Sequence, residues 1–473
     1  MSTSRLARQW LMTWIVLGLV LATAVAGAVF FRPLMRAVGA EVTGAPTTVP
    51  PSLLMPTAVP GVTPTSDGGA VGPAAAAAPG DLPDRAALEA QLNGLDIVAL
   101  AAGAEALQLA YEVVDTDTSE VVAARDASTL LIPASNTKLL TTTAVMHALD
   151  RQTRFPTRVL KPAAGSIVLV GGGDPLLTTL PTGTYPHQAS LQELATLTAT
   201  ALKDAGESSV SLAFDASFFT DAGWNETWPS NYRDQVTQIS ALWVDEGKQP
   251  GVGRSRTPAL AAATAFAAQL TTAGITVTGA PTPAVGSGAE VARVESEPLH
   301  VLAEQMMLRS NNSFAEVLGF QLAAATGHPT TFAGSVAAIE EQLRELSLWT
   351  EGAVLRDASG LSRSNLVSAA MLSLAMGRAV DDPNLSVILD GLPVAGVTGT
   401  LASRFADDIS LPARGVARAK TGTLSRVSSL AGTTTTADGR SVSFAFLTNG
   451  SADGWAAKVW ADQSVGVVTA CGC

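Results

Sequence analysis

The chain is poor in the residues from which thiol and metal sites are built. Only two cysteines occur, Cys471 and Cys473, both at the extreme C-terminus, where they cannot staple a core or report a disulfide framework. The four histidines, His147, His187, His300 and His328, are scattered without paired ligand spacing, so neither a metal nor another cofactor is expected. Basic residues are outnumbered, 29 Lys and Arg against 41 Asp and Glu, which argues against a partner held through many phosphate contacts, and no nucleic acid is expected. Long apolar runs are lacking too, with one exception near the N-terminus, and the 47% hydrophobic share is mostly Ala and Val spread along the chain. A length of 473 residues exceeds what one hydrophobic core usually supports, so two or three folding units are expected.

The exceptional run, Trp10 to Phe31, carries no formal charge and at helical rise is long enough to cross a hydrocarbon core of about 30 Å. Arg5 and Arg8 precede it and Arg32 and Arg36 follow, so the basic bias that orients a span is weak. The expectation is a cytoplasmic tail over 1–9 and a membrane anchor over 10–31, with the body extracytoplasmic. A cleaved signal peptide is the rival, because Ala22-Thr23-Ala24 and Ala24-Val25-Ala26 offer small-residue cleavage sites. Residues 32–81 form a Pro, Ala, Thr and Gly linker, including Ala74 to Ala78, that cannot bury enough apolar area to offset its ordering entropy. Ordered structure is expected from Leu82.

Beyond it the periodicity predicts a helix over 83–100, a hairpin of 107–114 with 121–124, and a helix over 135–149. The texture between 161 and 297 differs, with short strands such as 166–170 and 210–214, Gly-rich turns, and helices near 191–203 and 258–273. It reads as an inserted domain, leaving 82–160 and 298–473 as the enclosing catalytic domain. Helices are expected again at 299–308, 314–325, 331–346 and 365–380, then strands at 415–420, 427–435 and 441–447 and a closing helix over 454–469.

Three short motifs occur in order: Ser135-Asn136-Thr137-Lys138, Ser310-Asn311-Asn312, and Lys420-Thr421-Gly422 followed by Thr423. Each alone is weak, but the ordered set is specific. Positions three apart lie on one helix face, which sets the Lys138 amine beside the Ser135 hydroxyl as its base. Lysine serves as a base only when partly neutral, which burial and a neighbouring cation such as Lys420 would bring about. Ser310 is a candidate proton relay to the leaving amine, and Asn312 would orient Lys138 and the substrate amide. The plainer reading of Ser-Asn-Asn is a helix N-cap before Phe314. Thr421 and Thr423 would meet substrate carboxylate and oxyanion, and Gly422 lets the backbone approach closely. Asp174-Pro175 reads as a structural turn.

These motifs resemble the penicillin-binding protein and serine β-lactamase superfamily, and more narrowly the low-molecular-mass D-alanyl-D-alanine carboxypeptidase/endopeptidase family. The runs Gly171-Gly172-Gly173-Asp174-Pro175, Arg356-Asp357-Ala358-Ser359-Gly360-Leu361-Ser362-Arg363, Leu392-Pro393-Val394-Ala395-Gly396 with Gly399-Thr400-Leu401, and Ala419 to Leu424 extend the likeness over roughly residues 85–470. The resemblance implies an α/β (α+β) transpeptidase/β-lactamase-like domain, a five-stranded antiparallel sheet flanked by helices, with one inserted smaller domain where relatives often carry two. It implies acylation of Ser135 by the penultimate D-Ala carbonyl of peptidoglycan stem peptides, hydrolysis of the acyl-enzyme, and β-lactams as inhibitors at the same serine. Arg363 matches an arginine that contacts the peptide side chain in relatives. Arg254 and Arg426 stand where smaller or less charged residues are expected.

Other readings are weighed on the same residues. A Ser-His-Asp hydrolase lacks both Gly-x-Ser-x-Gly and a suitable histidine. A β-lactamase with a deacylating glutamate is closer, but Glu89-Ala90-Gln91-Leu92-Asn93 precedes Ser135 where the corresponding motif should follow the second one, so it reads as amphipathic helix. A non-catalytic β-lactam- or peptidoglycan-binding sensor is opposed by the retained Lys138 and Lys420.

Overall fold

The structure, a computed structural model, describes residues 80–473 except Glu105, Ala222, Pro250, Val252 and Cys473. The expected tail over 1–9, the anchor over 10–31 and nearly all of the linker over 32–81 lie outside the described residues. Among the described residues no helix is long and apolar enough to cross a membrane.

The strands in chain order are β1 (Gln108–Asp115), β2 (Val121–Arg125), β3 (Pro156–Ala163), β4 (Ser166–Val170), β5 (Ser209–Asp215), β6 (Lys248–Gln249), β7 (Gly253–Arg254), β8 (Thr276–Pro283), β9 (Ala289–Glu295), β10 (Arg418–Leu424), β11 (Val427–Thr435) and β12 (Ser441–Asn449). The first sheet is antiparallel throughout, in the order β10-β11-β12-β1-β2, so strands from both ends of the described chain close it. Its period-two pleat feeds two cores. Ala110, Ala445 and Leu447 join the helices Thr137–Ala148, Asn312–Ala325 and Ala369–Asp381 on one face. Tyr111, Val113, Phe444 and Phe446 pack on the other against Trp460 and Val465 of the closing helix Gly454–Ala470.

The second sheet has the order β8-β5-β4-β3-β9, with β5 parallel to both β4 and β8. Helices Leu191–Asp204 and Pro258–Thr272 cover it through Leu194, Leu202, Phe266 and Leu270. The edge strand β8 escapes the sequence pattern because an edge tolerates the Gly279, Pro281 and Pro283 that a central strand would reject. A third patch ties this region to the helices: Phe219 lies 4.9 Å from Phe320, and Trp228 meets Phe332 edge-on at 5.3 Å.

Three helices start or stop where local chemistry overrides periodicity. The one expected over 83–100 ends at Asn93 with Gly94 as its C-cap, and a short turn, Val98–Ala101, follows. The one expected from Ser135 opens as a 3₁₀ turn, Ala134–Asn136, and becomes α-helical only at Thr137. The one expected from Asn365 begins at Ala369, because Asn365 is committed to a loop, donating to Asp357 Oδ1 at 2.7 Å and accepting from Arg356 N at 2.7 Å, while Ser368 supplies the N-cap. Asp174 is indeed a turn residue: its buried carboxyl accepts from Leu176 N at 2.8 Å, and burial pushes it up to about 7.

The closing helix is pinned by a buried, two-pronged ion pair, Arg404 Nε and Nη2 donating to Asp462 Oδ2 and Oδ1 at 3.0 and 2.7 Å. Both side chains are under a tenth exposed, so removing Asp462 leaves a mostly buried guanidinium with the Lys458 carbonyl as its remaining partner. Asp462→Ala is predicted to lower the unfolding free energy in urea by about 3–5 kcal/mol; wild-type stability would show that water reaches the guanidinium.

Candidate active site

Three stretches remote in sequence meet at a cleft of about 930 Å³ whose lining includes Ser135, Ser310, Asn312, Arg363, Thr421 and Thr423. Ser135 follows Ala134, whose φ of 48° is left-handed, a conformation that non-glycine residues adopt at a cost. The tight turn places Ser135 at the rim and Lys138 beneath it, with no exposed surface.

Lys138 Nζ donates to Ser135 Oγ at 3.0 Å, to Asn312 Oδ1 at 2.7 Å and to the Ser359 carbonyl at 2.6 Å. Two of these three partners are carbonyl oxygens with no proton to offer, so in the neutral amine they take its two hydrogens. The lone pair is then left facing Ser135, the one partner with a proton to give. The orientation of the Asn312 amide is fixed because Nδ2 donates to the Gln235 carbonyl at 3.0 Å. Desolvation lowers the Lys138 amine from 10.5 to about 7, an effect opposed first by the neighbouring Asp357 and then by Glu316 to the extent that it ionises.

A second amine-hydroxyl pair stands opposite. Lys420 on β10 is buried and donates to Ser310 Oγ at 2.7 Å and to the Thr421 carbonyl at 2.8 Å. Burial, and then the nearby Lys138, hold its amine well below the usual lysine range. Ser310 is the left-handed C-cap of helix Leu299–Arg309 (φ 50°), which turns its hydroxyl out between two helices. The N-cap reading of the second motif holds at its middle residue: Asn311 Oδ1 accepts from Phe314 N at 3.2 Å, while Ser310 and Asn312 face the cleft.

The remaining candidates divide. Thr421 and Thr423 line the cleft, and Thr421 Oγ1 shares a hydrogen bond with Thr400 Oγ1 at 3.0 Å. Gly422 lies behind them, where a Cβ would sit 2.1 Å from Ser429 Oγ and 2.5 Å from the Pro133 carbonyl, so only glycine lets β10 lie against the serine turn. Arg363 is exposed at the rim and donates to the Ser425 carbonyl at 2.9 Å. Glu89 is elsewhere, accepting from Ala124 N at 3.0 Å and Arg85 Nε at 2.9 Å to fasten the first helix to β2. Sequence reasoning passes over Gln235 and reads Ser359 only as part of the Arg356 to Arg363 run, because both contribute main-chain carbonyls and so have no side-chain signature. It also passed over Trp455 and Lys458 of the closing helix, which line the cleft. Thr400 was visible only as part of the Gly399-Thr400-Leu401 run.

A five-stranded antiparallel sheet backed by helices, with this cleft along its edge strand, is the fold of penicillin-binding proteins and serine β-lactamases. Within that class the chain belongs to the D-Ala-D-Ala carboxypeptidase 3 (S13) family, whose profile matches residues 95–251 and 248–471. Carboxypeptidase Rv3627c of Mycobacterium tuberculosis is 36% identical over 391 residues, covering 77% of this chain and 82% of its own. The crystal structure of penicillin binding protein 4 (dacB) from Haemophilus influenzae superposes with a TM-score of 0.65 at 23% identity, covering 78% of this chain and 98% of that one. The same protein complexed with a β-lactam gives 0.59 at the same identity and coverage.

Because Lys138 can accept a proton only as the free amine, acylation by a fluorescent penicillin is predicted to rise with pH along a limb centred near 7 and to level off above it. Lys138→Ala should label negligibly at every pH. A rate flat between pH 5 and 9 would count against the buried amine as base.

Proposed function

We propose that Ser135 is the nucleophile, and Lys138 its general base, through which this member of the D-Ala-D-Ala carboxypeptidase family cuts peptidoglycan. As such the chain is a serine-type D-alanyl-D-alanine carboxypeptidase. The observation that carries the assignment is the Lys138 amine, buried between two carbonyls with the Ser135 hydroxyl 3.0 Å away.

In the reading we favour, the penultimate D-Ala carbonyl lies along β10. Ser135 Oγ attacks it while Lys138 takes the hydroxyl proton. The carbonyl oxygen gathers charge beside backbone N–H groups of Thr423 and of the helix start at Ser135, brought together because Gly422 has no side chain. Ser310, which accepts from Lys420, gives its own proton to the leaving amine and recovers one from the Lys138 ammonium, so that D-Ala departs and Lys138 is again a free amine. Water, deprotonated by Lys138 in turn, then hydrolyses the ester. The hydroxyls of Thr421 and Thr423 would receive the terminal carboxylate, and Arg363, with donors beyond its one bond to Ser425, the peptide side chain. A cross-bridge amine in place of D-Ala would make the same chemistry an endopeptidase. β-Lactams would acylate Ser135, supported by the β-lactam complex of the Haemophilus protein of the same fold.

The wider organisation belongs to the same proposal. Residues 82–160 and 298–473 would form the catalytic domain around an inserted domain over 161–297; the second sheet lying wholly between the serine helix and Leu299 supports an insert there, and because β3 belongs to that sheet the insert would start near Pro156. An N-terminal anchor over 10–31 and a linker over 32–81 would hold that body outside the membrane, supported by the apolar run and by a cell-wall substrate.

Release of free D-Ala from a D-Ala-D-Ala-terminated pentapeptide tests the assignment. Ser135→Ala should lose at least about 10³-fold in rate. Thr423→Val, lacking one hydrogen bond to a charged group, should lose only about 10-fold and chiefly in KM. D-Ala release by Ser135→Ala at the wild-type rate would move the nucleophile elsewhere.

A further inference from the structure

The segment Asp234–Arg254 runs behind the Ser310-Asn311-Asn312 turn and bonds the residues on either side of Ser310. Asn312 Nδ2 donates to the Gln235 carbonyl at 3.0 Å, and Thr237 N donates to Ser313 Oγ at 3.0 Å. Asn311 Nδ2 donates to Glu246 Oε2 at 2.9 Å, and Arg309 pairs with Glu246 Oε1. Ser310 keeps its hydroxyl for Lys420.

Glu246 is the centre of this clamp. It is only 9% exposed, with Lys248 Nζ a further 2.8 Å from Oε2. Its backbone and that of Asp245 are left-handed, with φ of 57° and 51°, two adjacent non-glycine residues in a conformation that persists only where the surroundings enforce it. The enforcement is visible: Thr237 Oγ1 and Arg254 Nη1 donate to the Glu246 carbonyl at 2.6 and 3.4 Å, and Arg254 Nε donates to the Asp234 carbonyl at 3.0 Å. Arg254, out of place by its charge, is thus a brace of the strap. A polar cavity of about 300 Å³ lies between the strap and the turn, lined by Asp234, Glu246 and Arg254 on the one and by Arg309, Ser310 and Asn312 on the other. Across it the turn is held to the strap by hydrogen bonds and the Arg309 ion pair.

We propose that Glu246 is a positioning residue of the reaction, its carboxylate fixing the turn through Arg309 and Asn311 so that Ser310 meets Lys420 and Asn312 meets Lys138. The intervening region is on this view part of the catalytic apparatus, acting without touching the reacting atoms. The inference rests on the roles given above to Ser310 and Asn312. A displacement of about 1 Å at such groups costs on the order of 10²-fold in rate.

The test is a cycle of variants read by the acylation rate with fluorescent penicillin and by kcat and KM for D-Ala release. Glu246→Gln should lower kcat and acylation by about 10–100-fold with KM changed by less than about 3-fold. In the background of Ser310→Ala/Asn312→Ala it should add less than about 2-fold, since the groups it positions are gone. Glu340→Gln, which breaks an exposed ion pair with Arg344 outside the strap, should keep wild-type kcat. Should Glu246→Gln fail to fold, Arg309→Lys takes its place with the same expected split. Wild-type kcat in Glu246→Gln, or an equal loss in both backgrounds, overturns the proposal. Ser310→Ala/Asn312→Ala at wild-type rate overturns instead the roles on which it rests.

Discussion

Keeping one amine dry is the constraint on which the site depends. An ammonium exposed to water holds its proton and cannot deprotonate a serine. Lys138 is stripped of water on every side, and the consequence is an amine near neutrality with its lone pair on Ser135. Burying it opposes folding, because a polar group removed from water must be given partners in place of the water. Two of its three partners, Asn312 and the Ser359 carbonyl, are placed by tertiary structure, and only Ser135 comes from the helical stretch that carries the lysine.

That requirement shapes the surrounding architecture. Asn312 comes from the turn between two helices, the Ser359 carbonyl from the loop before Ala369, and Lys420 from an edge strand. The loop is locked by Asp357, whose carboxylate accepts from Trp228 Nε1, Gly360 N, Ser362 N and Asn365 Nδ2 at 2.6 to 2.8 Å. Gly360, at φ 85°, comes so close to the Ala134 carbonyl that a Cβ would sit 1.9 Å from it, so loop and serine turn have one relative placement. Trp228 lies just ahead of the segment that carries the Gln235 and Glu246 contacts, so this stretch of chain is tied to the cleft both through Asp357 and through the Ser310 turn.

What the sequence made legible follows from where the information sits. Ser135 and Lys138 are three residues apart on one helical stretch, and their proximity is a matter of local geometry. Strands β4 and β11 and the closing helix carry strong periodicity and fall where it predicts. The Lys420 and Asn312 contacts could be anticipated only from an ordered motif set, since nothing local says that positions so remote meet. Main-chain carbonyls such as those of Gln235 and Ser359 have no letter in the sequence at all. Glu246 is illegible for another reason: a glutamate between an aspartate and a glycine looks like a solvated turn, and only the packing of a distant helix end turns it into a buried carboxylate.

The electrostatics close on Glu316. This carboxyl lies on helix Asn312–Ala325, is fully buried, and accepts from Ala358 N at 3.2 Å and Ser359 N at 2.8 Å, aiming the Ser359 carbonyl at Lys138. As an anion so placed it would draw Lys138 back toward the ammonium form and undo the effect of burial. Its own burial first, and the neighbouring Asp357 second, push it up to about 8. It is therefore largely protonated at neutral pH, still able to accept from two amides but contributing little negative charge. The dryness that frees the lysine lone pair also neutralises the glutamic acid that orients one of its acceptors, and the two effects support each other because both follow from the exclusion of water from one small volume.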